Sequence, residues 1–210
     1  MVDWWVVEAL GEFRRTALPT YLELEVSLRY VKPKVWRRFM IRNDVSFDVL
    51  HRAIQDACGW WDSHLYGFFA NHHWDSQFAR SPHETGWGEP SRARNAAKIK
   101  LHEVLAAKGD KCVYIYDYGD SWEHDVKVVA VRELDEKFKR RLLDGARAFP
   151  LEDCGSYPGY EDLVANFDKP LSELDDEARH MREWAHEMSA DWHPERFDLD
   201  ATTKIFDKKR

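Results

Sequence analysis

Cysteine is scarce in this sequence, and long apolar runs are absent. Three of the 210 residues are cysteine (Cys58, Cys112 and Cys154), and an odd number without regular spacing does not indicate a disulfide framework. No stretch reaches the ~18 apolar residues that a membrane span requires. The first residues also lack the basic start of a secretory signal peptide. Together these absences predict a cytoplasmic protein that does not partner a membrane.

Positive charge is also in short supply. The chain has 31 Lys and Arg against 38 Asp and Glu, which gives a formal net charge of -7. A DNA-binding domain normally presents a basic face, because neutralised phosphates supply most of its affinity. One local patch could still serve, formed by Lys32, Lys34, Arg37, Arg38 and Arg42. Nucleic acid is therefore an alternative partner and not the expected one.

The familiar catalytic signatures are missing as well. There is no glycine-rich phosphate loop, no Gly-x-Ser-x-Gly elbow and no His-Glu-x-x-His pair. Aromatic side chains, in contrast, make up 14% of the residues and include ten Trp. Because each aromatic side chain buries a large area, this composition predicts a well-packed core or an aromatic-lined cleft.

Alternation of apolar and polar residues predicts one α+β domain with a mostly antiparallel sheet. For example, Leu22, Leu24 and Val26 alternate with acidic residues, which is the pattern of a half-buried strand. About five strands are expected, with helices packed on one face of the sheet. The predicted strands are residues 21–29, 35–41, 65–70, 112–118 and 122–131. We assign residues 19–210 to this domain and residues 1–18 to an N-terminal helix or arm.

Helical spacing and capping residues predict the helices. Ser46 and Gly59 bracket an apolar stripe, as an N-cap and a left-handed C-terminal residue do. Further helices are predicted at residues 98–108, 133–144 and 159–167 and from Ser172 onward. Residues 71–97 show no periodicity and are predicted to form a long loop. Its histidines, His72, His73 and His83, could ligate a metal, although scattered loop histidines ordinarily do not.

The segment from Tyr116 to His124 brings titratable residues next to aromatic ones. On the predicted hairpin, Asp117 and His124 fall on one face beside Trp122. A buried Asp and His must pair with each other or bind something. Ordinary turn chemistry would explain them, and the alternative is a metal or acid/base site that also takes Asp120 and His64.

Cys154 is a further candidate, because it follows two acidic residues and precedes a glycine. A nucleophilic cysteine needs a nearby base to hold its thiolate, and His64 or His124 would have to supply it. A zinc site shared with His124 is a second alternative. The default expectation is a buried structural thiol.

Five short motifs occur in order along the chain: KPKVWRR at 32–38, WWDSHL at 60–65, YDYGDSWEH at 116–124, PLEDCG at 150–155 followed by Gly159-Tyr160, and HPERF at 193–197. In this order they resemble the motifs of the plasmid pRiA4b Orf-three-like family, some members of which are labelled insertion-element passenger resolvases. The resemblance runs from about residue 20 to the end and implies an α+β fold without an established activity. Phe149 and Leu151 stand where the family often has a cysteine and a second proline, which argues against a paired-thiol metal site.

We therefore expect a non-enzymatic binding or interaction module with an aromatic-lined polar cleft for a small ligand or protein. The alternatives are a metal-dependent or acid/base hydrolase and a nucleic-acid-associated protein of mobile elements. The sequence indicates no particular cofactor or metal. The candidate catalytic residues are Asp117, Asp120, His124 and Cys154. The candidate binding residues are Trp36, Arg37, Arg38, Trp60, Asp62, His64, Trp122, Glu152 and Asp153, with Trp61 beside them in the cleft.

Overall fold

The computed structural model describes residues 18–84 and 92–207, so the N-terminal helix or arm expected at 1–18 lies outside the described residues apart from Leu18. Within these ranges the chain forms eight strands and four helices. The strands are β1 (Thr20–Leu28), β2 (Trp36–Arg42), β3 (Tyr66–Phe69), β4 (Gln77–Arg80), β5 (Arg94–Asn95), β6 (Lys111–Tyr116), β7 (Trp122–Glu133) and β8 (Arg140–Ala146). The helices are α1 (Phe47–Cys58), α2 (Ser156–Asn166), α3 (Asp176–Met188) and α4 (Leu199–Phe206).

All eight strands belong to one sheet, in the order β5-β4-β3-β6-β7-β1-β2-β8. Every neighbouring pair is antiparallel except β4 and β5, which are parallel. The α+β class and the mostly antiparallel sheet are thereby confirmed, and each of the five predicted strands is present within two residues of its expected bounds. The expected number of strands was too low.

The helix predicted at 133–144 is wrong, because β7 extends to Glu133 and residues 140–146 form the edge strand β8. The many charged residues of this segment had indicated the exposed surface of a helix. In the fold they suit an edge strand, where charges discourage pairing with another chain. Arg140 forms an ion pair with Asp56 of α1, and Leu142 is buried. Backbone pairing with β2 overrides the local pattern.

The helix predicted at 98–108 is also wrong. Only two short 3-10 turns form there, at Ala96–Lys98 and Leu101–Glu103. The backbone instead pairs with the segment before α1: the Phe47 N–H donates to the Ile99 carbonyl (3.0 Å), and the Leu101 N–H donates to the Val45 carbonyl (2.9 Å). The long loop predicted at 71–97 contains the two short strands β4 and β5.

Helix α1 forms where its caps predicted. The Ser46 hydroxyl accepts a hydrogen bond from the Val49 N–H, and Gly59 ends the helix with φ 81°. The helix predicted from Ser172 begins later, at Asp176, with Asp175 as its N-cap. Neither these helices nor the others described are long and apolar enough to cross a membrane.

The main core lies on one face of the sheet. It joins alternate residues of β1, β2, β6 and β7 to the apolar stripe of α1, and it also takes in Tyr160 of α2 and Phe206 of α4. Helix α3 packs on α2 through Ala185, Leu163 and Phe167. The opposite face carries a small cluster around Val113 and Ile115. The helices thus cover one face and leave the loops at the end of β6 accessible.

Candidate functional site

Three loops meet where β6 ends, and one hydroxyl joins them. The Tyr116 hydroxyl accepts hydrogen bonds from the backbone N–H groups of Ser63 (3.0 Å) and His64 (3.3 Å). It donates to the carboxylate of Glu152, which also accepts from the Trp61 N–H (2.6 Å). The loop after α1, the β6–β7 turn and the segment before α2 are therefore fixed relative to one another.

These loops assemble a polar site, which we define as His64, Asp117, Asp120, Glu152 and Asp153. His64 is central to it. Its Nδ1 lies 3.8 Å from Asp117 Oδ2, and its Nε2 lies 3.2 Å from Asp153 Oδ1. One nitrogen of His64 and one oxygen of each aspartate all lie within 4.8 Å of one another. An imidazole with two carboxylates is a ligand set that suits a divalent cation.

Asp120 adds a third aspartate to this end of the molecule. Burial, and next the negative charge of Asp117, raise the pKa of its carboxyl group. Its Oδ2 is buried and has no hydrogen-bond partner among the described residues. The Ser156 hydroxyl donates to the backbone carbonyl of Asp120 (2.7 Å) and holds the turn against the start of α2. A buried carboxylate oxygen without a partner is costly unless something else binds it.

The backbone of these loops is strained. Seven non-glycine residues in the described ranges have φ near +60°, a region that side chains disfavour. Five of the seven belong to the three loops: Asp62, Asp117, Ser121, Asp153 and Ser156. Short polar side chains tolerate this conformation best, and Asp117 compensates by accepting the Gly119 N–H (2.9 Å). Strain of this kind tends to collect at functional sites.

His124 does not join the polar site. It is fully buried, stacks on Phe149 with ring centroids 5.7 Å apart, and bonds through Nδ1 to the Tyr114 carbonyl (3.3 Å). Burial lowers its pKa to about 4, so the imidazole is neutral. The expected pairing with Asp117 fails because His124 lies opposite Tyr114 in the register and shares the core face with it, whereas Val113 and Ile115, which alternate with Asp117, lie on the other face.

Cys154 lies next to the polar site but is not activated. It is a free thiol that is 1% exposed, and burial raises its pKa to about 12. The charge of Asp120 acts in the same direction. A thiol that stays protonated at neutral pH is not a nucleophile, so the structure matches the buried structural thiol of the default expectation.

The four tryptophans do not line one cleft. Trp60 and Trp122 are buried in the core, and Trp36 lies near the cationic groups of Lys34 and Arg38. Trp61 is 62% exposed and borders a groove of about 440 Å³ beside Asp62 and Gln55. The expectation of an aromatic cleft fails because a large indole that can reach the core is buried there. Trp60, for example, donates from Nε1 to the Pro150 carbonyl (2.8 Å).

Arg37 is buried and stabilises the fold through hydrogen bonds to the backbone. Its guanidinium donates to four backbone carbonyls, those of Ala57 (3.0 Å), Trp36 (2.8 Å), Ala146 (3.2 Å) and Arg147 (2.8 Å). Burial lowers its pKa to about 10, so it stays charged at neutral pH. These bonds tie β2 to the end of α1 and to the chain after β8.

The other members of the expected basic patch are largely neutralised. Lys34 and Arg38 both pair with Glu25, at 2.5 Å and 2.7 Å, and Arg42 pairs with Asp44. Arg37 is buried against backbone carbonyls, so Lys32 is the one exposed cation of the five without an ion pair in the part of the chain that the structure describes. The geometry therefore does not present the continuous basic face that nucleic-acid binding requires.

His51 was not foreseen as part of a polar network. Its Nε2 lies 2.7 Å from Asp62 Oδ1, its Nδ1 lies 2.7 Å from the Tyr114 hydroxyl, and its ring stacks on Tyr66. Asp62 is thereby drawn toward α1 and away from His64, and its pKa is lowered by the bond to His51. The signal was present in the sequence, since His51 occupies the i+4 position of the stripe that begins at Phe47.

The histidines of residues 71–97 do not gather around a ligand site. His72 and His73 are exposed neighbours with ring centroids 4.6 Å apart. Over residues 18–84 and 92–207, the set of side chains spaced to hold a metal is His64, Asp117 and Asp153.

The fold and the site together define a class of protein: an α+β domain in which three motif-bearing loops converge on a cluster of acidic residues around one histidine. Residues 20–201 match the family described as plasmid pRiA4b ORF-3-like protein, and the chain belongs to this family. A relative from Sinorhizobium fredii, the uncharacterized protein y4hQ, is 32% identical over 152 residues, which are 72% of this chain and 75% of the relative. A crystal structure of a protein of unknown function, MM3350 from Methanosarcina mazei Go1, superposes with a TM-score of 0.70 at 25% identity. The match covers 88% of this chain and 98% of that chain.

Proposed function

We propose that this protein is a binding module whose polar site holds a divalent cation through His64, Asp117 and Asp153. The spacing of their ligand atoms carries the proposal. A bound ion requires these atoms at about 2.1 Å from the metal, which calls for a small inward movement of the three side chains. The Asp153 side chain is 65% exposed and has room to make that movement.

A second observation also supports a bound cation among these acidic side chains. Asp120 keeps a buried carboxylate oxygen without a partner in the described residues, beside aspartates whose charges repel it. A divalent cation would offset this repulsion. The rigid anchoring of His64 through Tyr116 also suits binding, because little order has to be gained when the ligand arrives.

Calorimetric titration of the purified, chelator-treated protein with Zn²⁺ and with Mn²⁺ tests the proposal. We expect one ion per chain and an affinity at least tenfold weaker in the His64→Ala and Asp117→Asn variants. His73→Ala, an exposed histidine outside the site, is the matched control and should bind like the parent. Equal affinity in the parent and in both site variants would refute the proposal.

Metal-dependent hydrolysis is the second candidate function. The unpartnered Asp120 oxygen favours it, because a carboxylate beside a metal-bound water can accept its proton. His124 and Cys154 have no role in this hydrolase, because His124 is buried in the core and Cys154 remains a protonated thiol. Turnover of a chromogenic phosphate or carboxylate ester, lost in Asp120→Asn while metal affinity is kept, would favour the hydrolase over the binding module.

The remaining alternatives fit the structure less well. Nucleic-acid binding, and with it a role in mobile-element chemistry, would need cations that the fold instead commits to Glu25, Asp44 and buried carbonyls. A cytoplasmic location is part of our proposal, and the three free cysteines support it because a reducing compartment keeps thiols unpaired.

A further inference from the structure

A second groove lies away from the polar site and shares no residue with it. It runs between the end of β2, the first turns of α1 and the start of β8, and its volume is about 480 Å³. A space of this size suits a small organic molecule. The function proposed for the polar site does not involve this groove, and the two similar proteins have no described function that could involve it.

The floor of the groove is apolar. Val45 and Val49 are half-buried and open to the groove, and Ile41, which also lines it, is fully buried. Apolar side chains that remain open to a groove gain free energy when an apolar ligand displaces water from them. The floor therefore favours a ligand with a hydrocarbon portion.

The rim of the groove is basic, in a chain whose net charge is -7. Five cationic side chains and two acidic ones line it: Arg42, Arg52, Lys100, Lys139, Arg140, Asp44 and Asp207. The three arginines are paired, with Asp44, Asp48 and Asp56. Lys100 and Lys139 come from two separate segments, are exposed, and have no ion pair within the described residues.

Arg140 contributes a more deeply placed donor group. Its side chain is 9% exposed and is fixed by Asp56 and by a bond from Nε to the Phe206 carbonyl (2.6 Å). Its guanidinium lies over the Phe206 ring, and its Nη1 has no hydrogen-bond partner among the residues that the structure describes. The groove thus combines an apolar floor, a fixed guanidinium and two lysines that form no ion pair within the described residues.

We propose that this groove binds a free amphiphilic anion, an alkyl phosphate or a medium-chain carboxylate. The hydrocarbon chain would lie on Val45 and Val49, and the anionic head would meet Lys100, Lys139 and Arg140. Charge complementarity selects the head group, since a carboxylate or phosphate accepts hydrogen bonds from all three cations. The apolar floor excludes a fully hydrated inorganic ion as the preferred occupant.

Titration of the full chain with octyl phosphate tests the proposal, with inorganic phosphate and octanol as separate arms. We expect saturable binding of one octyl phosphate per chain, and at least tenfold weaker binding of each of the other two probes. The double variant K100E/K139E should lose tenfold or more in affinity for octyl phosphate. The matched control K111E/K127E changes two exposed lysines on β6 and β7 by the same charge and should bind like the parent.

Several results would overturn the proposal. They are an absence of saturable binding, an equal loss in K111E/K127E, and inorganic phosphate binding as tightly as octyl phosphate. Retention on vesicles containing anionic lipid, without binding of monomeric octyl phosphate, would assign the groove to a lipid surface. A dimer in light scattering that dissociates in K100E/K139E would assign it to a second copy of this chain. Melting curves of both double variants verify that they are folded.

Discussion

The Tyr116 hydroxyl donates a hydrogen bond to the Glu152 carboxylate, which lies 36 residues further along the chain. The same oxygen accepts the backbone N–H groups of Ser63 and His64. One phenol therefore connects the last residue of β6 with the loop after α1 and with the segment before α2. The position of His64, and with it the geometry of the polar site, depends on this contact.

Tyr116→Phe is expected to weaken both the fold and the metal site. The change leaves the N–H groups of Ser63 and His64 without their acceptor and removes a donor from the buried Glu152. We expect a loss of about 1–3 kcal/mol in the free energy of unfolding. Divalent-cation affinity should fall about tenfold, because His64 is no longer held in place.

Tyr118→Phe is the control for that experiment. Its hydroxyl accepts from Gln77 (3.0 Å) and donates to Glu84 (3.2 Å), away from His64. Urea unfolding should show some loss of stability in both variants, whereas calorimetry should show weakened metal binding in Tyr116→Phe alone. Unchanged metal affinity in Tyr116→Phe would mean that the anchored loop does not position the ligand set.

Arg37→Lys is expected to destabilise the fold far more than Arg38→Lys on the neighbouring residue. A lysine cannot reproduce a guanidinium that donates to four carbonyls, so buried acceptors lose their partners. We expect a cost of about 2–4 kcal/mol for Arg37→Lys. The partly buried pair of Arg38 with Glu25 keeps its charge in Arg38→Lys and should cost less than about 1 kcal/mol. Equal urea midpoints for the two variants would contradict the structural role assigned to the buried Arg37 side chain.

His124 is expected to make the fold sensitive to acid. Burial lowers its pKa in the folded state to about 4, below the ordinary value of 6.5. As the pH falls below 6.5 the unfolded chain takes up the proton first, so stability decreases until the pH reaches about 4. The full effect is about 3 kcal/mol, and there is none above pH 7.5 or so.

His124→Phe removes this titration while keeping an aromatic ring against Phe149. Urea unfolding of both proteins at pH 7.5, 5.5 and 4.5 measures the difference. The parent should lose more stability on acidification than the variant, and the contribution of His51 cancels because both proteins keep it. If the free energy of unfolding changed equally with pH in the parent and in the variant, His124 would not be the group responsible for the acid sensitivity.

Much of the fold follows from local sequence. The alternation of β1 and β7 and the caps of α1 are properties of short segments, and they hold in the structure. Strand β8 could not be foreseen, because it depends on backbone pairing with β2 and on the ion pair of Arg140 with Asp56, which lies 84 residues away. At the edge of the sheet, pairing with β2 decides the structure and local periodicity does not.

The candidate site, like the fold, was predicted only in part. Proximity in sequence correctly marked the segments that hold His64, Asp117 and Asp153 as polar loops beside aromatics. It placed His124 correctly on the buried face with Trp122, but it put Asp117 on that face too, whereas Val113 and Ile115, which alternate with Asp117, lie on the other one. It also missed His51, whose partners Asp62 and Tyr114 lie 11 and 63 residues away.

The central claim is that His64, Asp117 and Asp153 together hold one divalent cation. Crystals of the full chain soaked with Zn²⁺, with diffraction measured at the zinc absorption edge, test it most directly. The account predicts one strong anomalous peak at about 2.0–2.2 Å from a nitrogen of His64 and from a carboxylate oxygen of each aspartate. A peak elsewhere, such as at His72 and His73, or no peak at a saturating concentration of zinc, would contradict it.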